Sequence, residues 1–174
     1  ITIDPHIHRY KSLKDIFTIP TKMLTANLLI ADHIQKKFKN EIIIGPDGES
    51  YQWAECIAKH IHVDATVLKK TRFSSRHVHV KMINPIPIKD KNVIIVDDII
   101  STGHTIAEAA KQARKMGAKS VSAIGVHGLF VENGMEKLKK AGVNKIITTN
   151  CIEHPTNKID ITPLLLAELK KEKK

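Results

Sequence analysis

The sequence predicts an α/β fold with a mostly parallel sheet that is covered by helices on both faces. Short apolar runs alternate with helical patterns along most of the chain, and this alternation is typical of βαβ units. Gly117 and Gly142 each follow a helical pattern, where glycine commonly ends a helix. A hydrophobic fraction of 42% in 174 residues supports one domain with a buried core, or one domain plus pieces of another.

The expected elements follow one another with short connections. Strands are predicted at residues 1–4, 41–44, 65–68, 93–96, 121–126 and 145–149. Helices are predicted at residues 25–37, 50–61, 105–116, 132–141 and 164–171, and Pro163 opens the last of them. The polar segment 69–90 is rich in Lys and Arg, so we expect an exposed hairpin or a flexible flap. Residues 1–40 fit the alternation less well and suggest the edge of a neighbouring lobe.

Composition narrows the class of protein. The net charge of +10 has two interpretations: a field that attracts polyanions such as nucleotides, or a lysine-rich solvated surface. Aromatic residues make up 4% of the chain and give little stacking surface for single-stranded nucleic acid. For that reason we expect no nucleic-acid partner. We also expect no membrane partner, since no apolar run reaches transmembrane length. The start lacks signal-peptide features and the two cysteines lack metal or disulfide spacing, which predicts a cytoplasmic protein.

The most informative stretch is residues 92–105, in which an apolar strand leads through two acids into a polar loop and then a helix. Asp97 and Asp98 would lie at the carboxyl end of a strand, where open α/β sheets bind ligands. The loop offers backbone N–H groups and hydroxyls at a helix N-terminus, which suits a phosphate. Its residues are Ser101, Thr102, Gly103, His104 and Thr105. The alternative for the acids is a helix cap plus a surface carboxylate, and for the loop ordinary helix capping.

Further candidates lie outside this stretch. Asp47 follows a strand in a Gly-Pro-Asp-Gly turn and could hold a hard cation, although a lone turn Asp is more often a backbone cap. His6, after Asp4 and Pro5, is placed at a strand end and belongs to one of three His-x-His pairs. Such pairs raise the question of zinc, but no cysteine completes a ligand set. Lys70 and Arg72 could stabilise phosphate charge or could belong to a solvated basic loop.

Together, these segments resemble the ribose-phosphate diphosphokinases, or phosphoribosyl pyrophosphate synthetases, and most of all the archaeal type. Residues 4–6 resemble the family's Asp-x-His segment, and residues 44–50 its strand-Pro-Asp turn. Residues 70–72 resemble the Lys-x-Arg of its catalytic flap, and residues 96–105 its phosphoribosyl-binding loop. The last motif alone occurs widely among phosphoribosyltransferases, whereas four motifs in the same order are highly specific.

The resemblance implies a fold of the type I phosphoribosyltransferase kind and a set of roles. The diphosphoryl group of ATP would pass to the 1-hydroxyl of ribose 5-phosphate, giving phosphoribosyl pyrophosphate and AMP. His6 and Asp47 would bind Mg²⁺, while Lys70 and Arg72 would stabilise the transition state, with Arg72 also contacting the sugar phosphate. Asp97 and Asp98 would contact the ribose hydroxyls or a second cation, and residues 101–105 would bind the 5-phosphate.

The resemblance also implies a division of the chain. Residues 1–24 would end an N-terminal lobe that is otherwise absent, and residues 25–160 would form the phosphoribosyltransferase-like domain. The helix within residues 161–174 would pack on the missing lobe or on a partner chain that carries it. A homo-oligomer is expected. His104 departs from the family, which often has Gly there, and a side chain is tolerated if the backbone keeps an allowed φ.

Two other functions share parts of this pattern. A phosphoribosyltransferase that consumes the activated sugar would share the acidic strand and its loop, but would not explain Lys70, Arg72, His6 or Asp47. A non-catalytic regulatory paralogue would keep the fold, although it should have lost the flap cations or the loop.

Overall fold

The fold consists of one large sheet with a small strand pair beside it. Among the residues that the computed structural model describes, seven strands form the large sheet and two form the small one. The structure describes residues 1–7, 9–10, 12–72, 78–82 and 85–171, with residues 69–72 and 78–81 described by their backbone alone.

The first part of the chain forms the small strand pair and a helix. Strands β1 (Thr2–Ile3) and β2 (Met23–Leu24) pair in parallel. A short 3₁₀ helix, Leu13–Asp15, lies between them. Helix α1 (Asn27–Lys37) follows β2 directly. The predicted strand near residues 1–4 and the predicted helix at residues 25–37 are therefore confirmed, each slightly shorter than expected.

The large sheet contains the remaining strands. They are β3 (Glu41–Gly45), β4 (Ala65–Arg72), β5 (Val78–Met82), β6 (Asn92–Ile100), β7 (Ser120–Gly128), β8 (Lys145–Thr149) and β9 (Asn157–Ile159). Their spatial order is β5-β4-β3-β6-β7-β8-β9. All neighbours pair in parallel except β4 and β5, which are antiparallel. The mostly parallel sheet predicted from the sequence is confirmed.

Helices pack on the two faces of this sheet and divide the core in two. They are α2 (Tyr51–Ile61), α3 (His104–Lys115), α4 (Gly134–Lys140) and α5 (Thr162–Lys171), in addition to α1. Apolar side chains of α1 and α2 pack in one buried cluster, and those of α3 and α4 in the other. No helix in the described part of the chain is long and apolar enough to cross a membrane.

Strand β6 is the centre of the sheet because it contributes to both cores. Ile94 and Val96 point into the cluster under α1 and α2. Val93 and Ile95 point into the cluster under α3 and α4. Successive side chains of a strand alternate between faces, and a strand of a doubly covered parallel sheet is apolar on both. The continuous apolar run at the start of β6 is explained by this position.

Several further elements differ from the sequence prediction. Strand β6 continues beside β7 to Ile100, so Asp97 and Asp98 lie within the strand rather than after it. Helix α4 begins at Gly134, since Glu132 and Asn133 have left-handed φ angles of 50° and 60° that end any helical path. Strand β9 was not predicted, because three residues carry too little periodicity to recognise.

The hairpin predicted within residues 69–90 is present in the backbone. Strand β4 continues to Arg72, past the predicted end of this strand, and pairs with β5 in the register Arg72↔Val78. Lys70 faces Val80 in the same ladder. The positions of the Lys70 and Arg72 side chains lie outside what the structure describes.

Candidate functional site

A side-chain contact at the carboxyl edge of the sheet joins His6 to the acidic pair of β6. His6 Nδ1 lies 2.7 Å from Oδ2 of Asp98, across a sequence separation of 92 residues. Asp98 is 3% exposed, and its other oxygen accepts a hydrogen bond of 2.8 Å from Ile99 N–H. Because both carboxylate oxygens of Asp98 have donors, a buried charge is compensated rather than orphaned. The pairing also fixes the orientation of the His6 ring.

Asp97, the neighbouring acid, is held differently. Burial raises the pKa of Asp97 to about 8, with further contributions from the nearby charges of Asp98 and then Asp47. Its Oδ1 accepts a hydrogen bond of 3.1 Å from the backbone N–H of Asp98, which opposes the shift. The three carboxylates therefore lie close enough together to raise the free energy of ionised Asp97. A cation or a hydroxyl-rich ligand placed among them would relieve that repulsion.

Asp47 both shapes its turn and faces the other acids. Its Oδ1 accepts hydrogen bonds of 3.1 Å from the backbone N–H groups of Glu49 and Ser50. The hydroxyl of Ser50 lies 3.0 Å from the same oxygen. The backbone-capping interpretation is thus confirmed. Capping does not exclude a ligand role for Asp47. The capping contacts all use Oδ1, and the carboxylate as a whole is close enough to Asp97 to raise the pKa of that acid.

The loop after β6 is shaped by glycines of two elements. Gly103 is the N-cap residue of α3 and has a left-handed φ of 70°. The first N–H groups of α3, which have no acceptor within the helix, therefore follow directly on this loop. Gly134 packs so closely that a Cβ would lie 2.7 Å from the carbonyl oxygen of Ser101. His104 is the first residue of α3, is exposed, and has no positive φ. The departure from glycine at this position is therefore sterically tolerated.

These segments enclose a cleft of about 470 Å³. Its lining residues are His6, Asp47, Glu49, Trp53, Asp97, Asp98, Ile99, Ser101, Thr105 and Leu129. Six of the eleven predicted site residues are brought together here. Thr102, Gly103 and His104 shape the loop but do not line the cleft, and Lys70 and Arg72 have no described side chains.

Sequence reasoning missed the apolar part of the lining. Trp53 lies in the first turn of α2 and borders the cleft. Leu129 is 48% exposed and reaches the cleft from the segment after β7. Nothing in the sequence distinguishes Leu129 from a core leucine. Trp53 could have been found from its place directly after the turn that carries Asp47.

A second, larger cleft of about 610 Å³ adjoins the first and shares His6, Glu49 and Trp53 with it. Its other lining residues are Pro5, Ile7, Tyr10, Met23, Gly48, Tyr51 and Gln52. His6 therefore borders two neighbouring clefts, one lined by acidic residues and one by aromatic residues.

The side chains present could hold a divalent cation only with help from a ligand. No three His, Cys, Asp or Glu side chains of the described residues converge as a metal cluster. The zinc interpretation of the His-x-His pairs gains no support there, and His8 and His77 lie outside the described residues. The carboxylate oxygens suit Mg²⁺, which usually takes one or two protein carboxylates and completes its shell with water and substrate phosphates. The imidazole of His6 could add one nitrogen ligand.

Comparison with known proteins agrees with this geometry. The model of the family described as the phosphoribosyl transferase domain matches residues 12–162. The chain belongs to this phosphoribosyl transferase domain family. Its mostly parallel sheet and its loop between β6 and α3 are therefore those of a phosphoribosyl transferase domain.

Individual relatives are more specific. The chain is 37% identical over 160 residues to the ribose-phosphate pyrophosphokinase of Pyrococcus furiosus, covering 92% of this chain and 56% of that protein. It is 36% identical over 162 residues to the enzyme of the same name from Sulfolobus acidocaldarius, covering 92% and 55%. The crystal structure of phosphoribosylpyrophosphate synthetase from Mycobacterium smegmatis matches with a TM-score of 0.80 and 26% identity, covering 98% of this chain and 57% of that one.

The resemblance to ribose-phosphate diphosphokinases is thus confirmed along nearly the whole chain. The chain spans about half the length of the curated relatives it matches.

Replacing Asp97 with Asn should change the pH dependence of stability. The folded-state pKa of about 8 lies above the ordinary value of 3.8. Between these values the unfolded chain has lost a proton that the folded chain keeps, so wild-type stability falls as pH rises through this window. The Asn variant lacks this loss. Its advantage in free energy of unfolding should grow from pH 4 to pH 8 and reach a few kcal/mol, at about 1.4 kcal/mol per pKa unit.

Urea unfolding at several pH values measures this difference. Asp64→Asn, at an exposed position outside the cleft, is the matched control. A difference between the Asp97→Asn variant and wild type that stays constant with pH would contradict the raised pKa.

Replacing Gly134 with Ala should strain the loop after β6. The new Cβ would meet backbone atoms of Ser101 and Thr102 at 2.7 and 3.3 Å, which flexible side chains cannot relieve. We expect a loss of about 1–3 kcal/mol in the free energy of unfolding. Gly48→Ala is the control, because nothing lies within 4 Å of its Cβ position. Equal stability of the two variants would show that the loop shifts without cost.

Proposed function

We propose that this chain is part of a ribose-phosphate diphosphokinase, which transfers the diphosphoryl group of ATP to the 1-hydroxyl of ribose 5-phosphate. The products would be phosphoribosyl pyrophosphate and AMP. The observation that carries the proposal is the convergence of His6, Asp47 and Asp97 on one cleft beside a loop suited to phosphate. The similarity to ribose-phosphate pyrophosphokinases over most of the chain supports the same reaction.

Ribose 5-phosphate would bind in the cleft between β6 and α3. Ser101 and Thr105 border it, and Thr102, Gly103 and His104 complete the loop whose N–H groups would receive the 5-phosphate. Asp97 would contact the ribose hydroxyls. With a pKa near 8 it can either donate or accept a hydrogen bond at neutral pH. Asp98 would have two roles. Besides contacting the ribose, it would orient the His6 ring through their hydrogen bond.

The divalent cation would be Mg²⁺, bound between His6 and Asp47 and completed by ATP phosphates and water. When bound there, Mg²⁺ would neutralise charge on the phosphate oxygens during the transfer. The hydrogen bond to Asp98 supports this role for His6, because a carboxylate on one ring nitrogen fixes the orientation of the ring and leaves the other nitrogen for a ligand. The carboxylate of Asp47, which lines the same cleft, would be the second protein ligand of this cation.

Lys70 and Arg72 would stabilise the charge that develops at the β-phosphorus of ATP, and Arg72 would also contact the sugar phosphate. Their support is the resemblance of residues 70–72 to the family's flap and their place in the β4–β5 hairpin. In-line phosphoryl transfer depends on positioning and charge compensation and needs no covalent enzyme intermediate. No side chain of the cleft is therefore required as a nucleophile.

The remainder of the protein would supply a second lobe that completes the ATP site. Residues 1–24 and α5 contact one another through Lys22 Nζ and Glu168 Oε1, 3.1 Å apart. These two parts of the chain carry exposed apolar side chains, as expected of a surface that another unit covers. They include Ile1, Ile16, Phe17, Ile19, Met23, Leu166 and Leu169. The complete protein would be a cytoplasmic homo-oligomer without nucleic-acid or membrane partners.

The decisive test is product formation by the complete protein. AMP should form from ATP only when ribose 5-phosphate and a divalent cation are both present. Release of diphosphate from the activated sugar on addition of a nucleobase would instead favour a phosphoribosyltransferase. A folded complete protein that catalyses neither reaction would favour the non-catalytic alternative.

Replacing Lys70 with Ala in the complete protein should lower the turnover number by about 100-fold or more, because one charge contact to the transition state is lost. Lys59→Ala is the matched control, since Lys59 pairs with Glu55 on the surface of α2, outside the cleft. Steady-state AMP formation measures both. Unchanged turnover of the Lys70→Ala variant would refute the role assigned to this lysine.

A further inference from the structure

His127 contacts the segment that carries His6 although it does not line the cleft. It lies on β7, where its register partner on β6 is Ile99, the residue after Asp98. Its Nε2 is 3.0 Å from the carbonyl oxygen of Ile3 and 3.3 Å from that of Asp4. A carbonyl oxygen only accepts hydrogen bonds, so Nε2 must carry the proton and donate. The tautomer of the ring is therefore set by the chemistry of its partners.

The segment from Ile3 to His6 is thus attached to two neighbouring positions of the sheet. His127 on β7 holds its backbone at Ile3 and Asp4, and Asp98 on β6 holds the His6 ring. The other side of the segment is tied to the end of β2 and to the N-cap residue of α1. There the N–H of Asp4 donates to Leu24 at 3.0 Å, and Oδ2 of Asp4 accepts from Ala26 N–H at 2.7 Å. Asp4 itself has a left-handed φ of 37°, which needs such support.

Cys151 also influences the imidazole of His127. A hydrogen bond with Cys151 is the largest cause that raises the pKa of His127, burial opposes it, and the carbonyls of Ile3 and Asp4 add to the rise. Cys151 is fixed in turn, because its N–H donates to Thr149 Oγ1 at 3.2 Å. The hydroxyl of Thr149 donates to the carbonyl of Val126 at 2.7 Å. The imidazole therefore lies near the turn after β8 as well as beside the first segment of the chain.

We propose that His127 is a positioning residue, which sets the place of the Ile3–His6 segment through its Nε2–H and so allows His6 to pair with Asp98. Burial alone does not call for an imidazole here, since an apolar side chain would fill the space without reaching two carbonyls. The consequence for metal binding rests on the proposed function, because it assumes that His6 holds the cation. The consequence for the His6–Asp98 pair does not.

Two substitutions of His127 distinguish the roles of its two ring nitrogens. In His127→Gln the side-chain amide can reach the position of Nε2 and keep the donor to Ile3. In His127→Asn the amide reaches only the position of Nδ1, so the donor to Ile3 is lost. His60→Asn, on the exposed surface of α2, is the control for loss of an imidazole. Circular dichroism confirms that each variant is folded.

The main measurement is the tautomer of His6, read from long-range ¹H–¹⁵N correlation spectra of the imidazoles. We expect the Nδ1–H form in wild type, in His127→Gln and in the control. In His127→Asn the ring should shift toward the mixture of a solvated histidine. Loss of the Nδ1–H form in both His127 variants, or its retention in both, would overturn the proposal.

Wild type provides a test that no folding defect can obscure. His127 should show a slowly exchanging Nε2–H. A neutral His127 ring with its proton on Nδ1 could not donate to Ile3 and would overturn the proposal by itself.

Mn²⁺ then tests the link to the cation through broadening of the His6 resonances. His127→Asn should weaken Mn²⁺ binding by about 10-fold or more, whereas His127→Gln should not. If Mn²⁺ leaves His6 unaffected in wild type, the metal role in the proposed function fails, while the tautomer result still decides the role of His127.

Discussion

The long parallel pairing of β6 with β7 is the constraint on which the site depends. It runs from Asn92↔Ser120 to Ile100↔Gly128 and carries the two acids of β6 into the interior instead of releasing them into a loop. Gly125 makes this possible, because a Cβ there would lie 2.6 Å from Ile100 Cγ1. The same pairing brings His127 alongside Ile99. One ladder therefore places the buried carboxylates, the start of the phosphate loop and the histidine that anchors the first segment.

Burying like charges destabilises the protein, and the structure limits that cost locally. Asp98 receives a donor on each oxygen, from His6 and from Ile99. For Asp97, burial instead raises the pKa to about 8, so that its charged form is less often present in the folded protein. The two neighbouring acids thus have different surroundings, paired donors for Asp98 and burial for Asp97. Carboxylates placed this closely lower the stability of the protein without a ligand, and a bound cation or sugar would restore it. Binding sites commonly trade stability for function in this way.

Backbone strain is concentrated near the same edge. Phe130, Glu132 and Asn133 have left-handed φ angles of 48°, 50° and 60° in the segment between β7 and α4. The segment is held because the carbonyl of Ile100 accepts from the N–H groups of Leu129 and Phe130, at 2.9 and 3.0 Å. Strained residues of this kind persist where surrounding contacts determine them and are often found at functional sites. Here they place Leu129 at the cleft and Gly134 against the loop after β6.

The sequence by itself determined the alternation of strands and helices, the parallel sheet, and the acidic strand that leads into a loop and a helix. These features are encoded locally, by periodicity and by the residues that begin and end helices. Most predicted site residues follow from them, since the carboxyl ends of parallel strands share one edge.

Only the tertiary structure decided which side chains meet. The partner of His6 lies 92 residues away, and the carbonyls that His127 reaches lie 124 and 123 residues away. No periodic pattern records such contacts, because they depend on how the strands stack and how far each one continues. The extension of β6 past Val96, the short β9 and the place of Trp53 at the cleft were decided in the same way. The sequence thus determined which chemical groups gather at the edge of the sheet, and the packing of distant segments decided which of them touch.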